Sequence, residues 1–347
     1  MRATCPIRQQ LLDALPSFRQ FLSTHLTERV HGADARQIVH ARVRNIVDHN
    51  LSGGKHERGV LFARCCAAAS HRNAGTIDDQ VLRVAWLHEL LQASLLIADD
   101  VVDKGVMRRG KPCWYRMPKI GLSAVNDSLL LESSIRVVIR EHVTSTSTQQ
   151  NNDLIAAFDN AIQLTALGQL LDTQPKQIEE FTAELYETIV RLKTSHYTFV
   201  LPLETALIWS ERSDMKDACR AIGHDLGYLF QVQDDYLDCF GNTQQLGKVG
   251  LDIEHGKCTW LAVMAAAHLR NHDERAFGLL KHHYGRSNKT SVGVVRELYE
   301  TAALPRLYAD FQSCQREKIL EQTKRLPSEP VANEIRSLLD RLMVRDH

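Results

Sequence analysis

Apolar residues in this chain recur at the spacing of an α-helix along most of its length and rarely alternate as a strand requires. From Leu82 to Asp103, Val84, Leu87, Leu90, Leu91, Leu95, Ala98 and Val102 fall three to four residues apart. The same pattern runs through 153–171, 181–208, 217–240, 259–283 and 331–343. The chain therefore reads as all-α, with about 12–15 helices around one core. Loop signals at Leu51-Ser52-Gly53-Gly54, Arg109-Gly110-Lys111-Pro112, Phe240 to Gly250 and Gly285 to Lys289 are too short for domain linkers, so 1–347 is expected to form one domain. Pro202, inside an apolar-periodic stretch, is expected to kink or divide its helix.

One short pattern occurs twice, Asp-Asp-x-x-Asp, at Asp99-Asp100-Val101-Val102-Asp103 and at Asp234-Asp235-Tyr236-Leu237-Asp238. Residues four apart share a helix face. Asp99 and Asp103 then point one way, as do Asp234 and Asp238. Such pairs repel, and a helix C-terminus adds to the cost, so a helix that keeps them is expected to hold cations between them. Each cluster ends an apolar run, Leu95 to Ala98 and Tyr228 to Phe230, which sets it apart from a solvated acidic patch. Carboxylates without a nearby cysteine set suit hard cations, Mg²⁺ or Mn²⁺.

Basic residues flank both clusters. Arg108 and Arg109 follow the first; Lys248 and Lys257 follow the second. Gly53-Gly54-Lys55 with Arg58 makes a glycine loop carrying two cations, and Lys193-Thr194 interrupts an amphipathic helix. Arginine forks and lysine point charges around two metal-binding faces describe a cage for a diphosphate. The glycine loop lacks the GxxxxGK[ST] spacing, so a P-loop NTPase is not supported. With 42 basic and 42 acidic residues the formal net charge is zero, which argues against a nucleic-acid binder. The eight cysteines form no CxxC, and Met1 to Phe21 has no apolar secretory core. The apolar runs read as too short to span a bilayer. A cytoplasmic protein with reduced thiols is expected.

The stretch Glu89 to Asp103, with Arg108-Arg109-Gly110 and Cys113-Trp114-Tyr115, resembles the first aspartate-rich motif of the farnesyl diphosphate synthase family, the all-α trans-prenyltransferases. Phe230 to Asp238, followed by Phe240-Gly241, Gly247-Lys248 and Lys257-Cys258, resembles the second. Gly53 to Gly59, Gly168-Gln169-Leu170-Leu171-Asp172, and Lys193-Thr194 with Tyr197 match in the family's order, so the resemblance runs from about residue 35 to 265. It implies a large helical bundle of the isoprenoid synthase type with a central active-site cavity, and a homodimer.

The resemblance also implies roles. Asp99, Asp103 and Asp234 would hold about three Mg²⁺ with an allylic diphosphate; Asp100, Asp235, Asp238 and Asp172 would act beside them or through water. Arg108, Lys193 and Lys248 would contact that diphosphate, with Lys257 and Gln169 in the same substrate-binding set. Lys55, Arg58, Gln92 and Arg109 would hold isopentenyl diphosphate, with Tyr197 and Phe230 nearby. The Lys193 carbonyl, Thr194 hydroxyl and Gln231 amide oxygen would stabilise an allylic cation. The implied reaction condenses isopentenyl diphosphate with dimethylallyl or geranyl diphosphate to give farnesyl diphosphate.

Some residues depart from the family pattern. Glu57 stands where Asn is usual, between Lys55 and Arg58. Ser94 and Leu95 stand five and four before Asp99, where farnesyl synthases of this type carry aromatics; about one helical turn below the metals, they would reshape the chain-length pocket. Lys104-Gly105 and Leu251 replace usual polar residues, and Val344-Arg345-Asp346-His347 lacks a basic tail. Glu57, the Ser94 and Leu95 pair and the missing tail touch the isopentenyl half or the pocket. They leave open a C20 synthase, or a terpene synthase that cyclises or quenches one allylic diphosphate. A regulatory subunit would be expected to degrade one acidic motif, and both are intact. A helical scaffold with acidic patches would show no Mg²⁺-dependent diphosphate binding.

Overall fold

The computed structural model describes residues 6–70, 77–144, 146–174, 176–241 and 250–344. In chain order its α-helices are α1 (Pro6–Glu28), α2 (Ala33–Asn50), α3 (Glu57–Ala69), α4 (Asp79–Val102), α5 (Ala124–His142), α6 (Thr148–Thr173), α7 (Ala183–Val190), α8 (Leu201–Trp209), α9 (Lys216–Phe240), α10 (Trp260–His272), α11 (Glu274–His283), α12 (Lys289–Thr301), α13 (Leu304–Lys324) and α14 (Glu329–Met343). The strands among the described residues are β1 (Met107–Arg108) and β2 (Lys111–Pro112), which pair as one antiparallel hairpin. The all-α reading therefore holds. By contact the chain divides into two compact units, 1–158 with 202–213, and 159–201 with 214–347.

In the first unit α4 is the central helix. Asp78 caps it by accepting from the Gln80 amide at 2.7 Å. Its apolar residues are too many for one face: Val84, Ala85, Trp86, Leu87 and Leu90 are all buried. A helix that is apolar on every side must be surrounded, and here α1, α3 and α5 pack on it. Trp86 stacks on Phe18 of α1 at 5.9 Å and donates to the Leu11 carbonyl at 3.0 Å. On α5 the buried Asp127 accepts from Arg42 through both oxygens, at 3.0 and 2.6 Å, and from the Trp114 indole at 2.8 Å.

In the second unit the core gathers α9, α10, α12 and α13. Tyr236 stacks on Tyr308 at 3.8 Å, Trp260 meets Tyr308 edge-on, and Tyr299 is buried nearby. The stretch 181–208, expected as a helix kinked or divided at Pro202, is more finely divided. Between α7 and α8, Arg191–Val200 forms a π-helix, closed by the Leu201 amide bonding to the His196 carbonyl. Two glycines explain how so wide a turn packs. A Cβ on Gly168 of α6 would lie 2.3 Å from the Lys193 nitrogen, and one on Gly227 of α9 would lie 2.2 Å from the Ser195 hydroxyl. Only glycine lets α6 and α9 come this close to the π segment. Pro202 sits in the first turn of α8, where a missing amide hydrogen costs little.

Two helices, α4 and α6, are long and apolar enough to cross a membrane by length and composition, a difference from the reading of runs unbroken by charge. The most apolar window of α4 is 72% buried in the protein, as a core helix requires; that of α6 is 33% buried.

Trp86 carries the largest fully buried side chain. Replacing it (Trp86→Ala) removes the ring stack and the bond to Leu11 and leaves a cavity, so unfolding in denaturant is expected to show a loss of about 3–5 kcal/mol.

Candidate active site

The first acidic motif ends α4. Asp99 and Asp100 lie in the last turn, and Asp103 is the C-terminal cap, its amide bonding to the Asp99 carbonyl at 2.8 Å. The three carboxylates have different surroundings. Asp100 is buried and held by Arg108, whose Nε lies 2.9 Å from both carboxylate oxygens and whose terminal nitrogen lies 2.6 Å from one. Burial opposes charge on Arg108, yet Asp100 and then Asp99 outweigh it and raise the guanidinium pKa, so the cation is fixed. Asp99 and Asp103 are half-buried, and Arg108 touches Asp99 only at 3.5 Å. The donor set left facing outward is all carboxylate oxygen, which fits a hard divalent cation.

The hairpin places the two arginines. Arg108↔Lys111 closes a two-residue turn of Arg109 and Gly110, both at positive φ, 53° and 74°. That geometry matches the twist of paired strands. It turns Arg109 back toward the glycine loop, where it donates to the carbonyls of Asn50 and Gly53, each at 3.3 Å. Arg8 of α1 reaches the same loop and donates to the Gly54 carbonyl at 3.0 Å. Lys55 is exposed; Arg58 is buried and Glu57 half-buried in the first turn of α3. A cavity of about 230 Å³ opens here, lined by Asn50, Gly53, Leu96, Asp100, Arg108 and Arg109 among others. Gln92 is half-buried on α4, two turns before Asp99. Ser94 is buried against α5: its hydroxyl bonds to the Leu91 carbonyl, and its own carbonyl accepts from Ser128 at 2.7 Å. Leu95 is half-buried.

The second motif lies near the end of α9, in the second unit. Asp235 is buried and accepts three bonds, from the Tyr186 hydroxyl at 2.7 Å, the Gln231 amide at 2.8 Å and the Trp260 backbone amide at 2.8 Å. Burial pushes its pKa up to about 7 despite these donors. Asp234 is half-buried; Asp238 is buried and accepts from the Asp252 amide at 3.1 Å. Gln231 also accepts the Thr194 hydroxyl proton at 2.8 Å. Thr194, Gln231 and Asp235 thus form one chain of bonds from the π segment into the core.

Lys193 and Lys257 converge on Asp172, at 2.5 and 3.1 Å. Burial alone would raise the Asp172 pKa; the two ammonium groups outweigh it and hold the carboxyl below its usual range. Tyr197 is half-buried in the π segment, Gln169 is half-buried on α6, and Phe230 meets Phe199 edge-on at 5.7 Å. Lys248 and Arg345 to His347 lie outside the described residues. Tyr186 and the Trp260 amide, which hold Asp235, left no signal in the sequence: Tyr186 stands 49 positions away on an otherwise ordinary amphipathic helix.

A family model described as polyprenyl synthetase matches residues 40–302. Farnesyl pyrophosphate synthase 2 of Cannabis sativa is 35% identical over 320 residues, covering 90% of this chain and 91% of the relative. Farnesyl pyrophosphate synthase of Gallus gallus is 35% identical, over 83% and 81% of the two chains. The structure of T. brucei farnesyl diphosphate synthase complexed with bisphosphonate superimposes with a TM-score of 0.88 at 30% identity, over 99% of this chain and all of that one. The chain belongs to the polyprenyl synthetase family and is a prenyltransferase of the all-α isoprenoid synthase fold.

Proposed function

We propose that the protein condenses isopentenyl diphosphate with dimethylallyl and then geranyl diphosphate to give farnesyl diphosphate, and that the whole chain serves as one catalytic domain. The observation that carries this reading is that both acidic motifs are intact in a chain whose relatives, named farnesyl pyrophosphate synthases, align over about nine-tenths of its length. Asp99, Asp103 and Asp234 are the carboxylates we assign to Mg²⁺, with Mn²⁺ as a substitute. Bound there, the ions would neutralise charge on the leaving diphosphate.

The chain's own groups do the rest in this reading. Lys193, Lys257, Lys248 and Arg108 bind the allylic diphosphate, and Gln169 lies in the same set. Lys193 and Lys257, paired with Asp172, are held where an incoming diphosphate exchanges one anion for another. Asp100, Asp235 and Asp238 take no metal directly; their bonds to Arg108, to Tyr186 and Gln231, and to the Asp252 amide hold the neighbouring carboxylates in register. Lys55, Arg58, Gln92 and Arg109 bind isopentenyl diphosphate, with Tyr197 and Phe230 against its hydrocarbon part.

As the allylic C–O bond breaks, the Lys193 carbonyl and the oxygens of Thr194 and Gln231 face the developing cation. Thr194 spends its proton on Gln231, so its lone pairs are the part left to present. The isopentenyl double bond attacks, and the proton lost from the adduct passes to the released diphosphate, with no protein base. Ser94 and Leu95 set the depth of the pocket. We place the enzyme in the cytoplasm as a homodimer. Leu122, Val125 and Leu129 stand 75%, 44% and 58% exposed at helical spacing, an apolar stripe suited to a second copy.

The decisive experiment is product analysis of the purified protein with Mg²⁺. Geranyl plus isopentenyl diphosphate is expected to give farnesyl diphosphate, and geranyl or farnesyl diphosphate alone no hydrocarbon. A C20 product would revise the pocket assignment; terpene hydrocarbons from one substrate would overturn the synthase reading. Lys193→Ala is expected to lower kcat by about 10²–10³, the usual cost of one oriented charge-stabilising group, with the unfolding midpoint little changed. Leu129→Arg is expected to shift the mass measured by light scattering from dimer to monomer.

A further inference from the structure

In the first unit, at the end of α4 opposite its acidic motif, α1 and α5 bring two imidazoles and a carboxylate together. The His142 Nε2 lies 3.1 Å from the His25 Nδ1, with the rings at 86°. A Glu141 carboxylate oxygen completes the group: one ligand atom from each of the three residues lies within 4.8 Å of the others. We propose that His25, Glu141 and His142 form a binding site for a first-row transition-metal dication of the Zn²⁺ type, distinct from the Mg²⁺ carboxylates.

The spacing is that of a metal's ligands. With Zn–N and Zn–O bonds of about 2.0–2.2 Å, two ligand atoms of a tetrahedral site stand roughly 3.3–3.5 Å apart, close to the 3.7 Å between the His25 Nε2 and a Glu141 oxygen. Two imidazoles and one carboxylate leave a fourth position for water, and imidazole nitrogen selects Zn²⁺ over Mg²⁺.

A second observation points to a ligand. His25 is 7% exposed, and its Nε2 is buried without a hydrogen-bond partner, 3.7 Å from a Glu141 oxygen. The protein buries this imidazole beside a carboxylate and gives its second nitrogen nothing to bond. That unpartnered Nε2, on the Glu141 side of the ring, is the His25 nitrogen left to take the ion. Phe21 holds both rings in place, stacked on His25 at 6.0 Å and edge-on to His142 at 4.7 Å. Arg83 bonds to the His142 carbonyl at 2.8 Å. The competing cation is Arg29, at 2.8 and 2.9 Å from the two Glu141 oxygens. Arg29 and Glu141 are both exposed, so a dication of higher charge density can displace the guanidinium. The bound ion would tie the C-terminal turn of α1 to that of α5.

The test uses the full chain, stripped with chelator and returned to millimolar Mg²⁺ so that the acidic motifs are filled by the hard ion. Calorimetric titration with Zn²⁺ is expected to show one ion per chain, a rise in Tm because the metal binds the folded state, and with Co²⁺ the visible absorption of a tetrahedral ion. His142→Ala, which alters a half-buried ring, is expected to weaken Zn²⁺ binding at least tenfold, since losing even an outer partner of a zinc ligand costs 10–100-fold. Glu141→Ala, at an exposed position, is a second variant that leaves folding intact and is expected to weaken it in the same direction. No Zn²⁺ uptake above the Mg²⁺ background, or uptake unchanged in both variants, overturns the proposal. So does uptake abolished by Asp99→Ala and untouched by His142→Ala, which would assign the ion to the acidic motif.

Discussion

A carboxylate can be buried only if the protein supplies donors for it, and that requirement organises both acidic motifs. In each, the second aspartate turns inward and is held by the chain's own groups: Asp100 by Arg108, Asp235 by Tyr186, Gln231 and the Trp260 amide. Removing a partner from such a buried charge commonly costs about 3–5 kcal/mol, so these bonds are not interchangeable surface contacts. With the second aspartate anchored, its neighbours one residue before and three after keep a fixed direction on the helix. Each motif is built around an internal bolt.

The same economy appears in the cations. Arg108 serves Asp100 structurally while lying beside Asp99, and Lys193 and Lys257 share the buried Asp172. Cations held by anions in the ligand-free protein are already oriented when a diphosphate arrives, which lowers the ordering cost of binding. The π-helix is the local device that delivers Lys193 and Thr194. Its wide turn is accommodated by glycines at 168 and 227, and wide turns of this kind recur at functional sites because they re-aim the groups on them.

Family membership and chemistry support each other through different residues. The relatives establish a polyprenyl synthetase over residues 40–302. The departures at Glu57, Ser94 and Leu95 lie in the half assigned to isopentenyl diphosphate and the growing tail, while the metal-facing carboxylates are unaltered. The Ser94 hydroxyl bonds to Leu91 within α4 and its carbonyl accepts from Ser128 of α5, so the space an aromatic side chain would fill at that position is decided jointly by α4 and α5.

The sequence by itself determined the helical class, the two aspartate motifs, the glycine loop and the order of the basic residues, because helical periodicity and i, i+4 spacing are local and can be counted. Spacing alone did not separate the six motif aspartates into outward-facing and anchored ones, since that depends on donors outside the motifs, Tyr186 for Asp235 and the hairpin's Arg108 for Asp100. Nor did it mark the π turn inside the stretch read as a single helix, where the deciding partners are two glycines on other helices. The grouping of His25 with Glu141 and His142 was equally invisible, because His25 and His142 stand 117 positions apart and only tertiary packing brings them within bonding distance.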